Sequence, residues 1–274
     1  MNVTSTDGTT IGYRQIGRGP GLVIIHGAME TGAAHTELAE ALSGRFTCYL
    51  PDRRGRGTSG PPGPRYGIDR EVEDIAALLD ASGATAVLGV SSGAIVALHT
   101  ALARPDVAKA VIFEPPLSAD TSWLPVFDDR IARGDVTGAL ILAMKRLRMG
   151  PGLLNALPTM LLRPLTAAMA NRQRATGPTP SFADLAPTLH EDVTLVAETA
   201  GRAPEYADLK ADMFLLGAAR SPAYLKAALD TLASVLPGAV RTELPGVDHR
   251  ATGPAAFGGA PEAVAREVAA FLAG

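Results

Sequence analysis

The sequence predicts an α/β fold in which a doubly wound, mostly parallel sheet is interrupted by a helical cap insertion. Strand-like and helix-like segments alternate up to about residue 115 and again after about residue 206, which is typical of a parallel sheet with helices on both faces. Between residues 118 and 205 no strand-like run occurs, and proline or glycine separates short helical pieces. We therefore predict a core domain over 1–117 and 206–274 and a cap subdomain over 118–205.

Hydrophobic periodicity predicts the individual elements of the core. Before the insertion they are, in order, an edge strand TTIGYRQIG, a buried strand GLVIIHG, a helix HTELAEALS, a strand FTCYLPD, a helix DREVEDIAALLDASG with Asp69 as its N-cap, a strand TAVLGV, a helix SGAIVALHTALARP and a strand AKAVIFE. After the insertion they are a strand DMFLLGAARSP, a helix AYLKAALDTLASVLPG, a strand AVRTELPG and a helix that begins at Pro261.

Composition limits the classes of function. Of 274 residues, 47% are hydrophobic and 19% are charged, which predicts a globular chain with a large core. A net charge of -3 gives no electrostatic reason to expect nucleic acid or an anionic membrane as partner, so a small neutral molecule fits better. The single cysteine, Cys48, lies in an apolar run and is predicted to be a buried strand residue.

No segment has the composition of an export signal, and no apolar run is long enough to cross a membrane. We expect a cytoplasmic protein that is a monomer or a homodimer. No pair of histidines has the context of a metal site, so we expect neither a metal ion nor another cofactor.

A candidate nucleophile lies between a predicted strand and a predicted helix. The segment GVSSG, from Gly89 to Gly93, fits the pattern G-x-S-x-G with Ser91 at the corner. The two glycines permit a sharp turn, which holds the serine in a strained, outward-facing conformation. The backbone N–H of Ser92, the next residue, is placed to stabilise an oxyanion.

Three further stretches accompany this turn, and together the four resemble the α/β-hydrolase superfamily over nearly all of the chain outside the insertion. They are HGAM from His26 to Met29, DRRGRGTSG from Asp52 to Gly60, and LPGVDH near the C-terminus. The resemblance implies the α/β-hydrolase fold, with the backbone N–H of Ala28 as the second oxyanion donor. We interpret DRRGRG as a solvated loop with local salt bridges rather than as a nucleic-acid site.

The resemblance also points to a histidine base and an acid. His249 follows the last predicted strand and comes after the serine in chain order, as the hydrolase topology requires. Most α/β-hydrolases carry their acid after the strand that follows the insertion, but here that place holds Arg220 and Ser221. Of the other carboxylates, Asp212 precedes that strand at the wrong end and Asp230 lies within a helix. The third, Asp248, adjoins His249 and has little freedom to reach its Nδ1 atom.

Glu114 is the remaining candidate for the acid. It ends the strand after the nucleophile helix, and the carboxyl ends of neighbouring parallel strands meet at one crevice. The alternative is that Glu114 forms a salt bridge with an arginine or caps a helix of the insertion. Some α/β-hydrolases place their acid at this position, among them haloalkane dehalogenases. The fungal zearalenone lactone hydrolases are more similar, with a serine in an SSGA turn and a glutamate before a proline.

A serine nucleophile with backbone oxyanion donors suits acyl transfer to water. The insertion offers apolar residues, namely Trp123, Leu124, Phe127, Leu140, Met144, Leu153, Leu154, Met160 and Leu161. We expect Met29, Trp123, Phe127 and Met144 to contact the substrate, although most of these apolar residues can equally pack the cap onto the core. The expected substrate is a neutral, fairly large ester or lactone. The alternatives are a C–C hydrolase or perhydrolase with the same residues, and a non-catalytic small-molecule binder.

Overall fold

Eight strands form one sheet in the computed structural model, which describes residues 1–147, 157–174 and 180–274. The strands are β1 (Asn2–Thr4), β2 (Thr10–Gly17), β3 (Gly21–Ile25), β4 (Thr47–Pro51), β5 (Ala86–Val90), β6 (Lys109–Phe113), β7 (Asp212–Ala218) and β8 (Val240–Leu244). Their order across the sheet is β1-β2-β4-β3-β5-β6-β7-β8. The pairs β1–β2 and β2–β4 are antiparallel and all others are parallel. The predicted fold class is confirmed. Of these strands only β1 was not predicted, and because β1 pairs with β2, the prediction of β2 as an edge strand was wrong.

The α-helices in the described part of the chain are α1 (Thr36–Leu42), α2 (Ile68–Ser82), α3 (Ser92–Ala103), α4 (Leu124–Ala132), α5 (Val136–Arg146), α6 (Thr159–Arg174), α7 (Phe182–Leu185), α8 (Leu189–Glu198), α9 (Ala223–Val235) and α10 (Pro261–Ala273). The prediction of Asp69 as the N-cap of α2 was wrong. Gly67 is the N-cap, and the carboxylate of Glu198 accepts a hydrogen bond of 3.1 Å from the N–H of Ile68. The helix begins one residue before Asp69, which therefore lies inside its first turn, and Glu198 supplies an acceptor for one of the free N–H groups at this end.

The sheet has a separate apolar core on each face because successive side chains of a buried strand point to opposite sides. In β3, Val23 and Ile25 pack on the face covered by α2, α3 and α9. Leu22 and Ile24 pack on the other face, which α1 and α10 cover. This alternation explains why β3 is a continuous apolar run in the sequence.

Between β6 and β7, the described residues form helices and no strand. Helices α4, α5 and α8 share a third apolar core, which includes Trp123 and Phe127. The division into a core domain and a cap over 118–205 stays a prediction, and we use the word cap for that segment. Leu153 and Leu154 lie outside the described residues. Met160 and Leu161 are mostly exposed on α6.

The arginine-rich loop after β4 is buried, so our interpretation of it as solvated was wrong. Arg53, Arg54 and Arg56 are each at most 2% exposed. Salt bridges do form, but with buried carboxylates on α2 and α8 that the linear sequence places far away. Since a buried cation is tolerated only when it is paired, these carboxylates are the reason that the loop can fold inward.

The cysteine and the lengths of the helices were also considered in the sequence. Cys48 is buried in β4, and burial raises the pKa of its thiol to about 12. In the part of the chain that the structure describes, no helix is long and apolar enough to cross a membrane.

The pair of Arg54 and Asp74 should stabilise the fold without affecting the strand ends that carry Ser91 and Glu114. Two hydrogen bonds of 2.7 and 2.6 Å join the guanidinium to the carboxylate, and both side chains are at most 2% exposed. We expect Asp74→Asn to lower the free energy of unfolding by about 3 kcal/mol, because Arg54 then keeps only the partly exposed Asp7 as a charged partner. Urea denaturation measures this difference, and a loss below about 0.5 kcal/mol would contradict it.

Candidate active site

Ser91 occupies the corner between β5 and α3 in a strained backbone conformation, with φ 53° and ψ −121°. The two flanking glycines make this corner possible. A Cβ atom at Gly89 would overlap the backbone of Gly93 and Ala94, and one at Gly93 would overlap the carbonyl oxygens of β3 and His26. The sheet and α3 therefore approach each other closely enough to force the serine outward.

Neighbouring strands fix the position of Ser91. Its backbone N–H donates a hydrogen bond of 2.9 Å to the carbonyl oxygen of Phe113, the last residue of β6. A Cβ atom on Gly27, in the loop after β3, would lie 3.1 Å from the Cβ atom of Ser91. The Ser91 hydroxyl forms no hydrogen bond with the rest of the described chain. The side chain thus lies between β6 and the loop after β3 with its oxygen unengaged.

Glu114 follows β6 directly, and its carboxylate is completely buried. Its Oε1 atom accepts a hydrogen bond of 2.7 Å from the backbone N–H of Ala218. Its Oε2 atom accepts one of 2.7 Å from the Ser221 hydroxyl and pairs with the Nδ1 atom of His249 at 2.7 Å. Three donors therefore replace the water that the carboxylate loses on burial.

The ring of His249 is held in one orientation. Because Nδ1 faces the Glu114 carboxylate, this nitrogen carries the proton, and in the neutral ring Nε2 is left as an acceptor. The ring also stacks on Phe113, with ring centroids 6.0 Å apart and an interplanar angle of 24°. His249 is one third exposed, whereas its acid partner is not exposed at all.

The other carboxylates that we considered have different partners. Asp248 forms hydrogen bonds with the backbone and the guanidinium of Arg250. Asp230 forms a salt bridge of 2.5 Å with Arg241, and Asp212 is the first residue of β7, at the end of the strand remote from Ala218. In the described structure, Glu114 is the carboxylate that the ring of His249 contacts.

The loop after β3 leaves one backbone N–H unengaged. The N–H of Gly27 donates to Glu30 at 2.9 Å, and that of Met29 donates to Asp192 at 3.3 Å. Between them, the N–H of Ala28 makes no hydrogen bond within the described residues, and the same is true of the N–H of Ser92. Within the described residues, the two predicted oxyanion donors are thus free to bind another acceptor.

His26 shapes this loop through its ring nitrogens. The backbone N–H of Arg53 donates to Nε2 at 3.0 Å, so the proton must lie on Nδ1, which bonds to the carbonyl oxygen of Gly27 at 2.8 Å. Burial and then the positive charge of Arg53 hold the pKa of His26 well below its usual value. The ring therefore stays neutral and ties the loop after β3 to the loop after β4.

A buried ionic network lies directly behind Ser92. The Arg53 guanidinium binds Glu71 through two hydrogen bonds of 2.9 and 2.8 Å, and Asp192 through one of 2.8 Å. Arg56 binds the other oxygen of Asp192 at 2.8 Å. Burial opposes ionisation of Asp192, but the two arginines outweigh it and lower the pKa of the carboxyl. The charges of the two arginines are therefore balanced by those of Glu71 and Asp192.

A second ion pair connects the loop after β3 to the loop that carries His249. The Nε2 atom of His35 lies 3.2 Å from Glu30, and its Nδ1 atom lies 3.0 Å from the carbonyl oxygen of Thr252. Both partners are acceptors, so both ring nitrogens must donate and the imidazole is charged. Burial opposes this charge, yet the Glu30 carboxylate outweighs it and raises the pKa of His35.

Backbone strain is concentrated at the site. In the described residues, the non-glycine positions with positive φ are Met29 at 54°, Ser91 at 53° and Glu114 at 46°. Each such conformation costs about 1–3 kcal/mol and persists only where the surrounding structure imposes it. The strain thus occurs in the three elements that meet around the serine.

The predicted substrate contacts differ in exposure. Phe127 is fully buried and Trp123 is 2% exposed, and their rings meet edge to face with centroids 5.6 Å apart. Both belong to the cap core that packs against Ala28 and Met29. Met29 and Met144 are only half-buried. Direct contact of these four residues with a substrate stays a prediction.

Sequence reasoning missed three features of the site. Ser221 occupies the position where most α/β-hydrolases carry an aspartate, and its hydroxyl donates to the Glu114 carboxylate at the end of the neighbouring strand. Asp192 had no motif around it, and neither did the pair of Glu30 and His35. The sequence did contain an indication of Asp192. The three arginines in DRRGRG require buried carboxylates as partners if the loop folds inward, but the sequence does not show which carboxylates these are.

The α/β hydrolases are a class of protein with a doubly wound sheet and a serine at a strand-to-helix corner. This chain has both features, and a buried carboxylate and a histidine follow nearby strands of the same sheet. Residues 22–267 match the model of the alpha/beta hydrolase family, so the chain belongs to that family.

Similarity to particular proteins is partial in sequence and broad in structure. The chain is 41% identical over 122 residues to Lipase LipV of Mycobacterium tuberculosis, covering 43% of this chain and 46% of the lipase. It is 32% identical over 130 residues to 2-(acetamidomethylene)succinate hydrolase of Mesorhizobium japonicum, covering 46% of each. The matches thus span less than half of these curated relatives.

Among solved structures, an alpha/beta hydrolase from Sphaerobacter thermophilus is 30% identical, with a TM-score of 0.72 over 89% of this chain and 91% of that one. The enol-lactonase from Burkholderia xenovorans has a TM-score of 0.71 over all of both chains at 20% identity, which shows a shared fold.

The charged His35 should make stability depend on pH. Its folded pKa lies above the usual 6.5, so its stabilising effect is complete below pH 6.5 and is lost as the pH rises through the folded pKa. We expect the difference in free energy of unfolding between wild type and His35→Gln to be largest below pH 6.5 and to shrink above it. Urea denaturation of both proteins across this range measures it. A difference that is constant or grows with pH would contradict the ion pair.

Proposed function

We propose that the chain is a serine hydrolase that cleaves a carboxylic ester or lactone of a fairly apolar small molecule through an acyl-enzyme. The observation that carries the proposal is the hydrogen bond of 2.7 Å between Glu114 and His249, beside a serine held outward at the end of β5. In this proposal Ser91 is the nucleophile, His249 the general base and Glu114 the acid.

The first half of the reaction forms the acyl-enzyme. The Oγ atom of Ser91 attacks the carbonyl carbon while Nε2 of His249 takes the hydroxyl proton. Glu114 holds the ring in the tautomer that leaves Nε2 free and stabilises the imidazolium that forms. The carbonyl oxygen becomes an oxyanion, which the N–H groups of Ala28 and Ser92 stabilise. As the tetrahedral intermediate collapses, the ester C–O bond breaks and His249 donates its proton to the leaving alcohol.

The second half returns the enzyme to its starting state. His249 removes a proton from water, which attacks the acyl carbon and again generates an oxyanion between Ala28 and Ser92. The bond to Ser91 then breaks, and the serine oxygen recovers the proton from His249. For a lactone the leaving alcohol stays attached to the acyl group, so one ring-opened hydroxy acid is released.

Apolar surroundings support an uncharged substrate. The cap core packs against Ala28 and Met29, so the loop after β3, which carries one predicted oxyanion donor, lies next to apolar side chains. In the described structure, Arg53 and Arg56, the two arginines of the buried network, are both paired with carboxylates, so neither is free to bind an anionic group of a substrate. The names of the relatives, which include a lipase and an enol-lactonase, agree with a hydrolase of esters or lactones.

Replacement of Ser91 tests the proposed nucleophile. We expect a fluorophosphonate probe to label the wild type and not Ser91→Ala. On a panel of aryl esters and macrolactones, Ser91→Ala should lower kcat by at least about 10⁴-fold. Mass spectrometry of the labelled peptide identifies the modified residue. Absence of labelling in the wild type would favour a non-catalytic binder. Labelling without ester or lactone turnover would favour a C–C hydrolase or perhydrolase, which product analysis with their substrates distinguishes.

Two carboxylates provide a matched test of the proposed acid. We expect Glu114→Gln to lower kcat by about 10³–10⁴-fold, because an amide cannot hold the protonated Nδ1 and stabilise the imidazolium. Asp248→Asn, one residue from His249, should stay within about threefold of wild type because its carboxylate binds Arg250. Steady-state kinetics on the same ester compares them, and the opposite ranking would make Asp248 the acid.

A further inference from the structure

Asp192, on helix α8 of the cap, contacts both elements that carry the predicted oxyanion donors. Its Oδ1 atom accepts a hydrogen bond of 3.0 Å from the hydroxyl of Ser92, at the start of α3. Its Oδ2 atom accepts one of 3.3 Å from the backbone N–H of Met29, in the loop after β3. Arg53 also contacts both elements, through its backbone N–H to His26 and its guanidinium to the Ser92 hydroxyl, and Asp192 is the shared partner that the cap supplies.

The position of this carboxylate is itself fixed from two sides. Arg53 donates to Oδ1 and Arg56 to Oδ2, each at 2.8 Å. Arg56 also donates to the carbonyl oxygen of Thr188, at the start of α8, at 3.2 Å. Asp192 is 2% exposed, so these bonds form away from competing water. The start of helix α8 is therefore attached to the loop after β4 at two points.

The contacts of Asp192 restrict the orientation of the two oxyanion donors, the N–H groups of Ala28 and Ser92, because they hold neighbouring groups of the chain. Fixing the Ser92 hydroxyl holds the first turn of α3 and thus the direction of the Ser92 N–H. In the other element, Glu30 holds the N–H of Gly27 and Asp192 holds that of Met29, so the N–H of Ala28 lies between two anchored amides. A donor that is fixed before the reaction stabilises developing charge better than one that must reorient.

We propose that Asp192 is a positioning residue through which the cap aligns the N–H groups of Ala28 and Ser92 for the oxyanion. This inference rests on the proposed function, since it assigns Asp192 a part in the same reaction. Asp192 does not itself touch the reacting atoms. The packing of α8 against the loops after β3 and β4 thereby completes the oxyanion hole, and the cap contributes to reaction rate as well as to the shape of the substrate site.

Asparagine is the informative replacement because its shape is nearly the same. Each oxygen of Asp192 faces an arginine, so either orientation of an amide turns its NH2 group toward a cation. Arg53 keeps Glu71, so the variant does not leave this guanidinium without a partner. The matched control is Asp74→Asn, which also alters a buried aspartate paired with an arginine of the same loop but contacts neither oxyanion element.

We expect Asp192→Asn to lower kcat by about 10- to 100-fold with KM changed by less than about threefold, because alignment matters most in the transition state. Asp74→Asn should lose comparable stability in urea and keep kcat within about twofold of wild type. Ser92→Ala, which removes one contact of Asp192 and no charge, should lower kcat in the same direction if Asp192→Asn does not fold. Equal kcat values for Asp192→Asn and the control, or an unchanged kcat in Ser92→Ala, would overturn the inference.

A second readout does not require the substrate to be identified. A trifluoromethyl ketone accepts the Ser91 oxygen at its carbonyl carbon and forms an oxyanion, with the serine proton retained on His249. Its inhibition constant, measured by competition with fluorophosphonate labelling, should rise about 10- to 100-fold in Asp192→Asn and stay near wild type in Asp74→Asn. If the wild type is not labelled, the proposed function fails. If it is labelled and both variants bind the ketone like wild type, only the role of Asp192 fails.

Discussion

The burial of the Glu114 carboxylate is the constraint on which the geometry of the site depends. A charge without solvent contact must be met by donors, and Glu114 obtains them from the end of β7, from Ser221 and from the ring of His249. The ends of three neighbouring strands, β6, β7 and β8, are thereby brought to one point. One of these hydrogen bonds also fixes the ring of His249. The contacts that make burial of the carboxylate possible therefore also arrange the residues of the site.

The backbone around this carboxylate is held against its own preference. Glu114 has a positive φ, and Pro115 and Pro116 follow it with restricted backbone angles of their own. Ser91 has a positive φ as well, and its N–H is bound to the carbonyl of Phe113, immediately before Glu114. The two strained residues are thus linked through one hydrogen bond between β5 and β6. This hydrogen bond helps to hold both residues in their strained backbone conformations.

Local patterns predicted the fold and part of the site, whereas contacts between distant segments were not predictable. Strand β3 and the corner at Ser91 follow from an apolar run and from glycine spacing, which act over a few residues. Glu114 was predicted to be the acid because the position after β7 lacked an aspartate and because β6 ends beside the strand that carries the serine. The bond between Arg53 and Asp192 joins residues 139 positions apart. No local property of the sequence selects such a partner, and for that reason the arginine loop was wrongly predicted to be solvated.

The proposed acid precedes the insertion in the chain, and this order has a consequence for assembly. Ser91 and Glu114 belong to one β-α-β unit made of β5, α3 and β6, whose strands pair in register from Ala86 to Val90. Contacts within such a unit are close in sequence and form with little loss of chain entropy. The backbone spacing of Ser91 and Glu114 is therefore set by the pairing of β5 with β6, whereas the Glu114 carboxylate gains its three donors from residues after the insertion. The backbone of both residues is thus already in place within one local unit, whereas an acid after β7 would have even its backbone placed by the return of the chain from the insertion.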